Sequence, residues 1–307
     1  ILIHFGAVDY RSEVWINGVS VGYHKGGYTP FTFDVTPYIL DGENDLRLEV
    51  KDPTETGTQA RGKQTFKRGG IWYTPQSGIW QTVWLEEVCE GYIESIKLTP
   101  DIDAEELRIE ISYNGKPTDE MAAIALDNGE VMAGTKLVDG KGVIKLTDYE
   151  CWSPENPKLY DLTLYVKRSG ILWEYIPLKV GFAEYGYDAD GNITAFGTPI
   201  KLNKATYNAA VDRAKTEQEV RALKAQGINC LCPDYPQPAW FYDVCDKVGI
   251  YVIDCAAISS PTECDNRAVG GTPANAPWLV DDYLCRVETM YHRAQNHVCI
   301  IAFRLAG

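Results

Sequence analysis

Nowhere in the 307 residues is there an apolar run of about 18 residues, the length a bilayer-spanning helix requires. No charged-then-apolar leader opens the chain, so we expect no membrane partner. Positive charge is scarce as well: Lys+Arg 29 against Asp+Glu 43 leave a formal charge of -14. Such a surface repels nucleic-acid phosphates and anionic lipid, which leaves neutral or cationic ligands as the expected partners. Histidine is rarer still, with His4, His24, His292 and His297 the only ones. No two of them stand at a spacing that grips a metal from one face, and all four read as structural. Ser77 and Ser153 lack the His and acid arrangement of a serine hydrolase. Gly69-Gly70 lacks the strand, helix and lysine of a phosphate loop. We therefore expect no cofactor and no metal.

Cysteine is plentiful but odd in number: nine, at 89, 151, 230, 232, 245, 255, 264, 285 and 299, mostly inside apolar runs such as CLC and VCII. We expect buried thiols in a reducing, cytoplasmic compartment, with secretion left open by the abrupt start at Ile1. Cys230 and Cys232 flank one residue of an expected strand, and we expect their side chains to face apart, unable to share a metal. The opening run ILIHFGAVDY and the closing run IIAFRLAG both read as strands without a preceding or following turn. Both ends are therefore expected to cut through folded domains of something longer.

A hydrophobic content of 45% over this length supports two or three separate cores. From 1 to about 89, apolar and polar residues alternate (Val14, Ile16; Phe31, Phe33; Leu46, Leu48, Val50), broken by Asn17-Gly18, Gly26-Gly27 and Asp41-Gly42. Period two with such turn dipeptides predicts antiparallel strands. A second all-β stretch, 90–182, repeats the pattern in IESIKLTP, LRIEISYNG, GVIKL and YDLTLYVK and suits a small β-sandwich. Near 183 short apolar runs begin to alternate with helical ones, the mark of βα units. Strands are predicted at 200–205, 228–233, 250–255 and 298–305. TEQEVRALKAQG is predicted as a helix with Thr216 and Glu219 as its capping box and Gly227 as its stop. PAWFYDVCDKVG is expected to bury Trp240, Phe241, Val244 and Val248, and a helix over 277–294 to turn Leu284, Val287 and Tyr291 to one face.

Particular segments carry a family resemblance. VWINGVSVGYHKGGYTPFTFDVT, from Val14, and GKQTFKRGGIWYTPQSGIWQTVWLE, Gly62 to Glu86, resemble the sugar-binding jelly roll of glycoside hydrolase family 2, the β-galactosidase and β-glucuronidase group. CWSPENPKLYDLTL, Cys151 to Leu164, is similar to a hallmark of that family's immunoglobulin-like sandwich, where Trp152 is expected to plug the sandwich end. GTPIKLNKATYN, QGINCLCPDYPQPAWFYDVCDKVGIYVID and NHVCIIAFRLAG resemble the first half of its (β/α)₈ barrel. The fold this implies is multidomain: a jelly roll over 1–89, an immunoglobulin-like β-sandwich over 90–182 and a partial TIM barrel over 183–307.

The resemblance also implies a retaining hydrolase with two carboxylates about 5 Å apart at barrel strand ends. In the family the last segment runs on into Gly-Asn-Glu with the general acid/base, and a second glutamate farther on is the nucleophile, so no catalytic residue is expected within this chain. Matched positions depart: Asn208 stands where many members have His, Cys232 where they have Arg, Cys255 where they have Glu, and Gly307 where Asn precedes the acid. Candidate sugar contacts are Trp72 and Tyr73 in the Gly-rich loop, Asn208, Asp234 and Tyr235 after the second strand, and Asp254 at the third strand's end. Each has a plainer reading: packing for the aromatics, a Pro-bracketed turn for 234 and 235, a cap or ion pair for Asp254. The expected partner is an oligosaccharide or β-glycoside, and the expected activity of the parent protein β-galactosidase-like. A non-catalytic carbohydrate-binding or scaffolding relative with a degenerate site is the alternative. Half a closed sheet leaves edge strands and apolar surface open, so self-association into a homo-oligomer is expected.

Overall fold

The computed structural model of the chain describes every residue except 57, 58, 60, 117, 210, 211, 259–276, 306 and 307. Cys264 and Gly307 thus lie outside the described residues.

Along Arg11–Ile16 the burial alternates, with Ser12, Val14 and Ile16 turned inward, because successive strand residues face opposite sides. Asn17 and Gly18 both take positive φ (49° and 80°), which closes the two-residue turn into Val19–Lys25. Those two strands and Leu46–Lys51 form one antiparallel sheet, and Phe31–Asp34, Leu2–Phe5 and Val83–Glu86 form another. Ile3, Phe5, Val8, Val14, Ile16 and Val35 fill the space between them. The next segment is a sandwich of a three-stranded sheet (Tyr92–Asp101, Glu106–Asn114, Lys141–Lys145) and a four-stranded one (Glu120–Asp127, Glu130–Leu137, Tyr160–Arg168, Ile171–Val180). Leu107, Ile109, Ile144, Leu162, Leu164 and Phe182 are buried in its core.

After short antiparallel pairings between Tyr185 and Pro199, the chain builds four parallel strands in sequential order. We label them β1 (Lys204–Thr206), β2 (Cys230–Cys232), β3 (Tyr251–Cys255) and β4 (Ile300–Arg304). Helices α1 (Arg213–Ala225), α2 (Ala239–Val248) and α3 (Val280–Ala294) connect them. Sequential parallel strands joined by helices give a partial (β/α)₈ barrel.

Several expectations need correction. Helix α1 begins a turn early: Asp212 is its cap, accepting from the Ala214 and Lys215 N–H groups at 2.8 and 3.1 Å. Thr216 is buried inside the first turn, and Glu219 instead accepts from the Tyr207 hydroxyl at 2.7 Å. In α2 Phe241, Val244 and Val248 are buried as expected, whereas Trp240 is half-buried. Helix α3 is turned the other way from the expected face. Leu284 and Tyr291 are exposed, and Arg286, Met290 and Ala294 are buried. Arg286 can sit inside because it donates to the Ala257 carbonyl at 3.0 Å and lies 4.5 Å over the Tyr28 ring. Trp152 plugs the barrel rather than the sandwich. Its ring packs with Tyr251 of β3 and belongs to the barrel core, while its indole N–H donates to the Asp246 carbonyl of α2 at 2.8 Å. Cys230 and Cys232 share a face of β2, as residues two apart on a strand must, rather than facing apart.

Candidate functional site at the barrel mouth

The carboxyl ends of β1, β2, β3 and β4 open on one side, where residues after each strand gather. Asn208, just past β1, and Asp234, just past β2, bond twice: the amide donates to Oδ2 at 3.1 Å, and the Asp234 N–H donates to the amide oxygen at 2.9 Å. Gln237, 1% exposed, fixes this pair from below. Its carbonyl accepts from the Ala209 N–H at 2.7 Å, and its amide donates to the Tyr235 carbonyl at 2.6 Å. Arg304, ending β4, donates to the Pro233 carbonyl at 2.5 Å.

A loop of the jelly roll completes the mouth. Gly62 turns it at φ +67°, where a Cβ would stand 2.8 Å from the Tyr28 hydroxyl, so only glycine fits. The next residue, Lys63, reaches the mouth and pairs with Asp234 at 2.8 Å. Tyr73 comes alongside, its N–H bonded to the Lys63 carbonyl at 3.1 Å and its hydroxyl 3.4 Å from that of Tyr28. Tyr235 is enclosed by three rings from the jelly roll, Trp80, Tyr73 and Tyr28, with centroids 5.6, 5.9 and 6.0 Å away. The seam continues through Gln81 to the Pro236 carbonyl at 3.2 Å, Tyr10 to Asp282 at 2.9 Å, and Lys25 to Asp282 at 2.8 Å.

The candidates therefore divide. Tyr73, Asn208, Asp234 and Tyr235 are brought together. Trp72 is half-buried on the loop's outer rung, exchanging backbone bonds with Gly69 at 3.0 and 3.1 Å, and joins none of these contacts. Asp254 is turned inward with no exposed surface. One of its oxygens accepts from the Tyr242 hydroxyl and the other from the Cys255 N–H, both at 2.9 Å. Lys63, Tyr28, Trp80, Gln237 and Arg304 escaped the reading of the sequence. Lys63 and Trp80 lie within the Gly62 to Glu86 segment that carries the resemblance, which was the available signal. Ser77 donates to Asp52 with no imidazole beside them among the described residues.

Electrostatics separate the two carboxyls at the mouth. Burial pushes Asp254 up to about 6, against the Tyr242 hydrogen bond. Burial also acts on Asp234, but Lys63 and Asn208 outweigh it and hold that carboxyl below its usual range. Burial raises the Tyr73 phenol to about 12, so it is a hydrogen-bonding group at neutral pH and not a base. No cluster of three or more His, Cys, Asp or Glu side chains arranged for a metal occurs among the described residues. No described helix is long and apolar enough to cross a membrane.

Three successive domains set around such a mouth are the architecture of a family of glycoside-processing proteins. The family model "Glycosyl hydrolases family 2, sugar binding domain" matches residues 1–85, "Glycosyl hydrolases family 2" matches 91–182, and "Glycosyl hydrolases family 2, TIM barrel domain" matches 203–307. The chain belongs to glycoside hydrolase family 2. It is 28% identical to a β-galactosidase of Streptococcus thermophilus over 324 aligned positions, covering 98% of this chain and 30% of that protein. A putative β-glucuronidase of Formosa agariphila is 24% identical over 282 positions, covering 82% of this chain and 32% of that protein. Among solved structures, the apo β-glucuronidase of Ruminococcus gnavus superposes with a TM-score of 0.82 at 18% identity, over 99% of this chain and 54% of that one. A β-glycosidase of Bacteroides vulgatus gives 0.76 at 23% identity, over 98% of this chain and 39% of that one. The chain thus spans about a third of the length of these curated relatives.

Proposed function

We propose that this chain forms the sugar-binding half of a retaining β-glycosidase site, and that the whole protein hydrolyses terminal β-linked sugars in the manner of a β-galactosidase. The observation that carries the reading is the jelly-roll loop delivering Lys63 and Tyr73 onto Asn208, Asp234 and Tyr235 at the mouth. A pyranose offers hydroxyls to the amide and carboxylate and an apolar face to an aromatic, which is the chemistry gathered there. We assign Trp72, on the same loop as Tyr73, to the next sugar unit of an oligosaccharide. Asp254 supports the mouth from within through Tyr242.

Retaining hydrolysis needs one carboxyl protonated at working pH and reachable by the leaving oxygen, and a second one ionised. Asp234 is reachable but held ionised, and Asp254 is raised but sealed in. Neither suits the general acid. We place both catalytic glutamates outside these residues, and no step here needs a metal or organic cofactor. Free thiols at every described cysteine fit a reducing, cytoplasmic setting.

One observation favours the non-catalytic alternative. Asn208, Asp234 and Lys63 already satisfy one another, so the mouth can be locked rather than waiting for substrate. The test is turnover of nitrophenyl β-galactoside and β-glucuronide by the full-length product, with calorimetric titration of methyl β-galactoside alongside. Turnover supports the hydrolase. Binding without turnover supports the alternative, and the absence of both overturns the assignment of the mouth to sugars.

A further inference from the structure

In the parallel sheet β4 neighbours β3 and not β2. Phe303 of β4 faces the helix layer, with its ring 5.9 Å from that of Tyr291 on α3. Arg304, the last residue of the strand, therefore faces the barrel interior, since successive strand residues point to opposite sides. From there its Nη2 donates to the Pro233 carbonyl just past β2 at 2.5 Å. The side chain thus crosses the carboxyl end of β3 and lays its guanidinium across the mouth.

That bond takes one of the five N–H donors of a guanidinium, and it is the only hydrogen bond of this side chain among the described residues. Nε is buried and has no partner. Among the described residues Arg304 forms no ion pair either. Asp234, which follows Pro233, is committed to Lys63 at 2.8 Å and to the Asn208 amide at 3.1 Å. Asp254 has no exposed surface and accepts from the Tyr242 hydroxyl and the Cys255 N–H. Holding a cation half out of water without an anion is costly, so the unfilled donors call for an acceptor from outside these residues.

We propose that Arg304 is a specificity-determining residue of the mouth, binding an anionic substituent, a carboxylate or a phosphate, on the sugar that occupies it. This rests on the reading of the mouth as a sugar site and narrows what that site takes. A planar guanidinium matches the paired oxygens of either group, whereas a neutral hydroxyl fills one donor and leaves the charge unanswered. Asn208 and Asp234 remain for ring hydroxyls, and the Tyr73 and Tyr235 rings for the apolar face. Lys63 offsets Asp234, so that carboxylate does not cancel the guanidinium. The Pro233 carbonyl holds the guanidinium in place before a ligand arrives, which reduces the ordering cost of binding. The overall charge of -14 repels an anionic sugar at a distance, but at about 0.1 M salt that field is screened beyond roughly 10 Å and Arg304 decides at contact.

The test is calorimetric titration of the full-length product with methyl β-galactoside, methyl β-galacturonide and methyl β-galactoside 6-phosphate, which differ only in the group at one carbon. At least one anionic sugar should bind about tenfold tighter than the neutral one, the increment of a charge-assisted hydrogen bond. Preference for the uronide assigns the substituent to a carboxylate, and preference for the ester assigns it to a phosphate. In R304Q the preference should collapse to about twofold or less. Three wild-type affinities within about twofold of one another overturn the inference and leave the mouth a sugar site, as does a preference that survives R304Q. Binding of none of the three overturns both readings. If R304Q fails to fold, R304K decides: lysine keeps the charge but loses the fork, so the preference should drop about threefold or more, and an undiminished one counts against the proposal.

Discussion

Replacing Lys63 by methionine removes the charge that the jelly-roll loop delivers to the barrel mouth while keeping most of the side chain's length and apolar stem. The magnitude follows from the geometry. The pair is 2.8 Å apart and its side chains are 12% and 16% exposed, between a surface bridge and a buried one. Breaking a fully buried pair costs about 3–5 kcal/mol and an exposed one about 0–1, so K63M should cost about 2 kcal/mol at pH 7. Asp234 keeps the Asn208 amide at 3.1 Å, which limits the loss. Lys63 holds the Asp234 carboxyl below its usual range, so its contribution is full above the unfolded carboxyl's pKa of about 3.9 and disappears as pH falls through the lower folded value. The gap between wild type and K63M should therefore narrow in acid. Urea unfolding of wild type, K63M, D234N and the double variant, at pH 7 and below 4, supplies the assay. A coupling energy of about 1–2 kcal/mol at neutral pH is expected. Coupling within about 0.3 kcal/mol of zero, or a gap that stays constant in acid, would refute the reasoning.

Trp152→Ala should cost about 3–5 kcal/mol, and hydrogen exchange should show the loss in β3 and α2 before the sandwich strands. The imidazole of His297, opposed by burial but 2.7 Å from the Asp246 carboxylate, is held above its usual range, so its NMR titration midpoint should exceed about 6.5 and fall in D246N. That contribution to stability is full below the unfolded histidine's pKa and is lost as pH rises through the folded one. Leu284, Tyr291, Phe303 and Leu305 of the barrel segment are exposed, and light scattering of the chain alone should show concentration-dependent growth that L284E weakens. A monodisperse monomer at all concentrations would remove that expectation.

What could be read from the sequence was local in origin. The inward Val14 and Ile16 and the helix stop at Gly227 (φ 88°) are set by residues within a turn or two. What escaped was set at a distance. Lys63 and Asp234 are 171 residues apart, and no periodicity relates them. An arginine within a helix is not read as core, yet Arg286 is buried because an aromatic ring and a carbonyl from other segments await it. Leu284 and Tyr291 follow the helical period faithfully, but the hydrophobic pattern alone does not tell which side the neighbouring strands occupy. Helix α1 was read as capped at Thr216, and Asp212, four residues earlier, caps it instead. The cysteine pair was misjudged for a simpler reason, since residues two apart on a strand point the same way.

Trp152 belongs by sequence to the sandwich and by contact to the barrel. A ribosome delivers this stopper before the barrel strands that enclose it. Excising the barrel segment at about residue 183 would remove that seat and leave the Trp152 ring uncovered. The two segments are therefore separate in chain order but inherit one shared interior.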